Sequence, residues 1–299
     1  MADAVNVLVT GGKGQVGTEV LRANWPSPVL LHAPTRDQLD LTDPASVAAA
    51  FAETSYAAVI NCAAYTAVDD AEDDIRAAFS ANAMGPAYLA QATREAKIPL
   101  IHVSTDYVFD GSLDGPYQET DSVGPIGVYG ASKLAGELAV RSGNDRSVVV
   151  RTAWVLSAHR ANFLKTMLRL AAERPEIDVV DDQLGCPTSA EDIAALLRVV
   201  TLRMMSDRSA PRGVYHFVNG GEASWAALAT EIMTLSRERG GPIARIAPIA
   251  TSQYPTRAHR PANSRLATSK LQRDFGMTPR PWREAVAGIM DELYPRGVK

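Results

Sequence analysis

Short apolar runs rich in Val and Ile alternate along this chain with longer stretches in which apolar residues recur every third or fourth position. The first kind suits strands buried on both faces of a parallel sheet, and the second suits the helices that cover it. Val5–Thr10, Val29–Ala33, Ala57–Cys62, Leu100–Ser104 and Ser147–Thr152 read as strands. Helices are predicted from the glycine-rich turn after Thr10 to Trp25, over Pro44–Phe51 with Asp43 as N-cap, over Ile75–Ala96, and from Tyr129 onward. This β-α alternation predicts an α/β fold, a Rossmann-type doubly wound parallel sheet. The second half reads as helices over Arg160–Arg174, Ser189–Leu202, Ser224–Arg239, Thr268–Phe275 and Trp282–Leu293, with strands Ile177–Asp181, Gly213–Val218 and Ile243–Ile249. The predicted organisation is an NAD(P)-binding domain over residues 1–155 and a smaller, discontinuous C-terminal substrate domain, mainly residues 156–299. Segments near 175–182 and 213–250 are expected to return to the first sheet.

Composition narrows the class. A net charge of −4 argues against a nucleic-acid or anionic-membrane partner, because neither is drawn to a mildly acidic surface. The two cysteines, Cys62 and Cys186, stand far apart and read as reduced, which predicts a cytoplasmic protein. No apolar run approaches the length of a membrane span, and the start of the chain lacks the basic region of a secretion signal. The five histidines show no metal-ligand spacing.

Three local patterns carry chemistry. The first is Gly11-Gly-Lys-Gly-Gln-Val-Gly17, set between the first strand and the first helix. Gly12, Gly14 and Gly17 fit one dinucleotide spacing, and Gly11, Gly14 and Gly17 fit another. Either brings a backbone close to a pyrophosphate at a helix N-terminus. After the second strand no acid stands ready for a ribose 2′-hydroxyl; Arg36 stands there instead and suits a 2′-phosphate, so the turn favours NADPH, with NADH the other candidate through Asp37 or Asp40. The second pattern is Ser104-Thr-Asp106 at a strand end, where doubly wound sheets bind ligands and where turns also use these residues. The third is Tyr129-Gly-Ala-Ser-Lys133. Four residues apart on a helix, the phenol and the ammonium share a face, and a nearby ammonium is expected to lower the phenol pKa enough for acid/base work. The acidic stretch 67–74 reads as a solvated helix entry. Residues 251–263 read either as a connecting loop or as an anion pocket, in which Arg257, Arg260 and nearby Arg265 would grip a diphosphate.

Taken with Asn61-Cys-Ala-Ala-Tyr-Thr-Ala-Val-Asp69, Ser104-Thr-Asp-Tyr-Val-Phe109, Arg151-Thr-Ala-Trp154, Asn162-Phe-Leu-Lys-Thr-Met167, Asp182-Gln-Leu-Gly-Cys-Pro-Thr188 and Arg260-Pro-Ala-Asn-Ser-Arg-Leu266, these patterns resemble the extended short-chain dehydrogenase/reductase family. Within it, the chain is similar to the branch that reduces the C4 ketone of dTDP-4-dehydro-β-L-rhamnose, the last step of dTDP-L-rhamnose synthesis. The resemblance implies that Tyr129 delivers the proton, Lys133 bonds the nicotinamide ribose and Thr105 bonds the carbonyl oxygen. It implies cofactor contacts from Gly11, Gly14, Gln15, Val16 and Gly17, adenine contacts from Asp40 and Leu41, and contacts to the middle of the cofactor from Ala63, Ala64 and Thr66. Asp106 and Trp154 would face the sugar, and Arg260, Asn263 and Arg265 would hold the dTDP-sugar. Some relatives dimerise through a magnesium ion on glutamates, and Glu19, Glu191 and Glu292 match those positions; the chain is expected as a monomer or homodimer. Two rivals are an NADP-binding regulatory subunit of the methionine adenosyltransferase type and a reductase of another nucleotide-linked 4-keto sugar.

Overall fold

The computed structural model describes residues 4–295. In chain order its strands are β1 Val5–Thr10, β2 Val29–His32, β3 Ala58–Asn61, β4 Leu100–Thr105, β5 Ser147–Thr152, β6 Val155–Leu156, β7 Glu176–Val180, β8 Leu184–Gly185, β9 Thr188–Ser189, β10 Gly213–His216, β11 Ala223–Ser224 and β12 Arg245–Ile249. Its helices are α1 Gln15–Arg22, α2 Pro44–Glu53, α3 Val68–Ala71, α4 Ile75–Phe79, α5 Gly85–Glu95, α6 Val128–Gly143, α7 Phe163–Glu173, α8 Ala190–Ser206, α9 Trp225–Glu238, α10 Ser269–Phe275 and α11 Trp282–Leu293.

Six strands form one sheet in the order β10-β5-β4-β3-β1-β2, every pair parallel. The side-chain period of two splits β1 between both faces. Val7 and Val9 pack with Val20 of α1 and with Ile193, Leu197 and Val200 of α8. Leu8 packs with Val47 of α2, Leu89 of α5 and Val140 of α6. Both faces are thus covered, which is why these strands read as unbroken apolar runs. The order reverses at β1, so a crevice opens beyond the carboxyl ends of β1 and β3.

A second core joins Leu164 and Met167 of α7, Ile177 and Val179 of β7, Ile232 of α9, and Trp282 and Met290 of α11. The later segments expected at the main sheet divide. β10 pairs with β5, but β7 and β12 pair only with each other, in register Glu176–Arg245 to Val180–Ile249. The reason is visible in β7, where Glu176 and Asp178 are exposed and Ile177 and Val179 buried. A strand with one polar face cannot sit inside a sheet covered on both sides.

Two helices differ from expectation. The run predicted over Ile75–Ala96 is interrupted by a π-helical turn, Ser80–Met84, between α4 and α5. The helix expected from Arg160 starts at Phe163, because the Asn162 side chain accepts from the Lys165 N–H and caps it. The four short strands β6, β8, β9 and β11, each two residues long, have no pattern that a sequence window could detect. Among the described residues no helix is long and apolar enough to cross a membrane.

Candidate active site

A cleft of about 1070 Å³ lies at the carboxyl ends of the central strands. Its walls take in Gly11, Gly14, Gln15, Val16, Arg36, Asp40, Leu41, Ala63, Ala64, Thr66, Thr105, Asp106, Tyr129, Lys133 and Trp154. Gly11 has φ +72, and a Cβ there would stand 2.6 Å from the Ala63 nitrogen. Gly17 lies outside the cleft wall, and its Cβ would meet the Gly11 oxygen at 2.2 Å. Gly12 also lines the cleft, and a Cβ there would stand 2.9 Å from the Ala33 Cβ, so both glycine spacings are compatible with the turn.

At the far end of the cleft, β4 delivers Thr105 and Asp106, and α6 delivers Tyr129 and Lys133. The Tyr129 phenol faces the Thr105 hydroxyl closely enough for the two to interact. Burial pushes that phenol up to about 12; the Thr105 contact opposes the shift and the charge of Asp106 adds to it. The expected lowering by Lys133 is absent. Although the four-residue spacing puts both residues on α6, the lysine is almost wholly buried and donates to the Val103 oxygen at 2.7 Å. A buried ammonium must take the acceptors it can reach, and here that is a strand carbonyl. Burial brings Lys133 down to about 8, against the opposing pull of Glu137. Thr105 donates to Asp106 Oδ1 at 2.9 Å, while Asp106 Oδ2 is buried without a hydrogen-bond partner among the described residues. Burial raises that carboxyl to about 6, with the Ser264 and Thr105 hydroxyls easing the shift.

Residues 5–294 match the family described as RmlD substrate binding domain. The chain is 42% identical to the dTDP-4-dehydrorhamnose reductase of Sinorhizobium fredii, over 98% of this chain and 99% of that protein. The chain belongs to the dTDP-4-dehydrorhamnose reductase family. A crystal structure of a dTDP-4-dehydrorhamnose reductase from Clostridium acetobutylicum superposes with a TM-score of 0.90 at 35% identity, covering 97% of this chain and 99% of that one. The dTDP-4-dehydrorhamnose reductase of Bacillus anthracis, solved in complex with NADP, superposes at 0.89 with 32% identity, covering 96% and 99%.

In this member of the dTDP-4-dehydrorhamnose reductase family the remaining site residues fall into three groups. Asp40 is committed to its own turn, since its carboxylate accepts from the Thr42 N–H and hydroxyl at 2.9 and 2.8 Å. Arg36 beside it is exposed, 3.8 Å from Asp40, and free to meet an anion. Trp154, at φ +48, stacks on Trp225 with ring centroids 3.5 Å apart, and both line the cleft.

Arg260, Asn263 and Arg265 stand outside the cleft wall. Arg260 pairs with Asp69 at 2.7 Å, and Arg257 pairs with Asp70 and Asp73. The acidic stretch opens α3 and caps α4, with Asp70 and Asp73 exposed as expected of a solvated helix entry, and it also docks the 251–263 loop. Arg265 pairs with Glu222 at 3.0 Å, and Asn263 donates to the Leu113 and Gly115 oxygens at 2.7 Å.

The proposed magnesium set is not assembled as expected. Glu19 and Glu292 come together with His159, while the Glu191 carboxylate binds Arg280 at 3.0 Å. The Arg22 guanidinium already serves this cluster, 2.6 Å from Glu292 and in contact with His159. A cluster holding an imidazole and an internal cation does not fit an ion that prefers six oxygens. Lys13, Arg160 and Trp225 line the cleft and were not singled out from the sequence. A lone Lys or Arg on a loop carries no signal there; only folding brings it to the wall.

Proposed function

We propose that this chain reduces the C4 ketone of dTDP-4-dehydro-β-L-rhamnose to dTDP-L-rhamnose with NADPH. The observation that carries the reading is the Thr105–Tyr129–Lys133 group in the same cleft as the glycine turn Gly11–Gly14. NADPH, when bound, supplies the hydride to the sugar C4, and the carbonyl electron pair moves to oxygen. Tyr129 then gives its proton to that oxygen. A phenol held near 12 keeps its proton at neutral pH, which suits it to act as the acid. The Thr105 hydroxyl turns from Asp106 toward the same oxygen and stabilises its growing charge, a role worth about 2.7–4 kcal/mol at comparable sites. Lys133 holds its charge below about pH 8 and lies one helical turn beyond Tyr129, in reach of a nicotinamide ribose. Arg36, exposed and without a tight partner, favours the 2′-phosphate of NADPH over NADH.

The test is oxidation of NADPH on adding an equilibrating mixture of dTDP-4-keto-6-deoxyhexoses. Wild-type protein consumes NADPH, and Tyr129→Phe lowers kcat by about 100-fold or more. A Tyr129→Phe protein working at nearly the wild-type rate would remove the proton donor from this scheme.

A further inference from the structure

Residues 157–162, between β6 and α7, are fastened more heavily than a connecting loop requires, and the ties converge on one face of α1. Gln15, Glu19 and Arg22 share that face at helical spacing. The side-chain amide of Gln15 is spent on this segment. Its oxygen accepts from Ser157 Oγ and Asn162 Nδ2, each at 2.9 Å, and its nitrogen donates to the Val155 oxygen at 3.4 Å. One turn on, Glu19 meets His159 at 3.2 Å. Arg22 contacts His159 and also Glu292 of α11. At Arg160 the backbone takes φ +59, a left-handed conformation that L side chains avoid. Its side chain is exposed on the cleft wall, and no ion pair is formed with it among the described residues.

We propose that residues 157–162 are a strap, latched to α1 by Gln15, that carries the Arg160 guanidinium to the diphosphate of the bound dinucleotide. This rests on the dinucleotide-binding reading above and refines it. Gly14, Gln15 and Val16 open α1 on the same cleft wall, and the free N–H groups of a helix start favour an anion there. A guanidinium left unpaired by the fold supplies the bidentate partner such an anion takes. Strain at a non-glycine residue persists where the surrounding structure holds it, and here the ties of Ser157, His159 and Asn162 on either side of Arg160 do so. Gln15 is then a positioning residue: its amide is occupied by the strap, and the diphosphate meets its backbone N–H. The Glu19–His159–Arg22–Glu292 cluster is the second anchor of the strap.

A diphosphate also occurs in the sugar nucleotide, so the experiment separates the two sources. NADPH, NADH and dTDP are titrated separately against wild type, Arg160→Gly, Arg160→Lys, Gln15→Ala and the Gln15→Ala/Arg160→Gly double variant. Arg160→Gly weakens NADPH and NADH alike, by about tenfold, because both carry the diphosphate. Its dTDP affinity stays at the wild-type value, and its Tm holds or rises because glycine tolerates the left-handed backbone. Arg160→Lys keeps the charge but loses the bidentate fork, so its dinucleotide affinity falls between those of wild type and Arg160→Gly. Gln15→Ala weakens both dinucleotides, and the double variant loses less than the product of the two single losses, since the latch acts through Arg160. Unchanged dinucleotide binding by Arg160→Gly overturns the proposal, as does a loss confined to NADPH, which would mark a 2′-phosphate contact, or a loss confined to dTDP. Wild-type protein that binds neither dinucleotide would sink the underlying reading as well.

Discussion

Asp106 is the side chain at which burial and chemistry oppose each other most openly. It is 3% exposed, and its Oδ2 has no partner among the described residues. Its carboxyl, raised to about 6 from an ordinary 3.8, favours the neutral form in the folded chain. A raised acid contributes stability that is complete below its unfolded pKa and lost as pH rises through the folded one. Above about pH 6, therefore, the protein carries an ionised buried carboxylate at a cost on the order of 3 kcal/mol. Asp106→Asn should then be the more stable protein at pH 8 in urea titration, with its advantage vanishing near pH 4. The gain should come with a higher KM for the sugar nucleotide if the carboxyl faces the sugar. Equal urea midpoints at pH 8 would show that the carboxylate is solvated. The sequence offers Asp106 only as a polar residue at a strand end, a position equally suited to a turn. The fold brings Ser264 and Cys186, both far along the chain, close enough to interact with its carboxyl.

At the scale of elements, α6 shows how a local rule can reverse its sign. Gly130 and Gly136 sit inside this helix, where replacing glycine by alanine ordinarily stabilises by about 1 kcal/mol. Here a Cβ on Gly136 would stand 2.0 Å from the Asn82 oxygen, and one on Gly130 would stand 2.1 Å from the Tyr107 oxygen. Both obstacles are backbone and cannot swing away. Gly136→Ala should therefore destabilise by about 1–3 kcal/mol in chemical denaturation, the usual cost of overpacking. A gain in stability would mean that the π turn carrying Asn82 yields easily. That turn earns its place through one amide: Asn82 accepts from the Tyr65 N–H at 2.8 Å and donates to the Tyr65 oxygen and the Ser132 hydroxyl, each at 3.0 Å. It thereby ties the segment after β3 to α6. Apolar periodicity is blind to such an insertion, so Ile75–Ala96 looks like one uninterrupted helix in the sequence.

Over the whole molecule, α6 is secured to the sheet by a buried ion pair. Glu137 on α6 meets Arg151 on β5 at 2.7 Å and accepts from Ser104 on β4 at 2.6 Å. Both charged side chains are nearly solvent-free, so each needs the other. Glu137→Gln should cost about 3–5 kcal/mol, because it leaves the Arg151 charge buried and uncompensated. Adding Arg151→Met should recover a good part of that loss, as measured by a double-mutant cycle in urea. Purely additive losses would indicate that water reaches the pair. The first-half strands, the glycine turn and the Tyr129–Lys133 pair were all legible beforehand, since each is written in neighbouring residues: an apolar run, a three-residue spacing, a four-residue spacing. Other features depend on which distant segments meet, and those were not legible. Arg257 and Arg260 look like free anion ligands until they are seen against Asp69, Asp70 and Asp73. β7 and β12 look like strands of the main sheet until one polar face is seen to exclude them.

The amino-acid sequence alone determined the sheet-forming segments, the glycine turn and the shared helix of Tyr129 and Lys133, because these follow from short-range periodicity and backbone sterics. Only the tertiary structure decided which charges are spent and which remain. Lys133 is turned to a strand carbonyl, and among the described residues Asp106 is left half-satisfied and Arg160 unpaired on the cleft wall. The reason is that pairing and desolvation are set by residues tens to hundreds of positions away, brought into contact only when the layers pack.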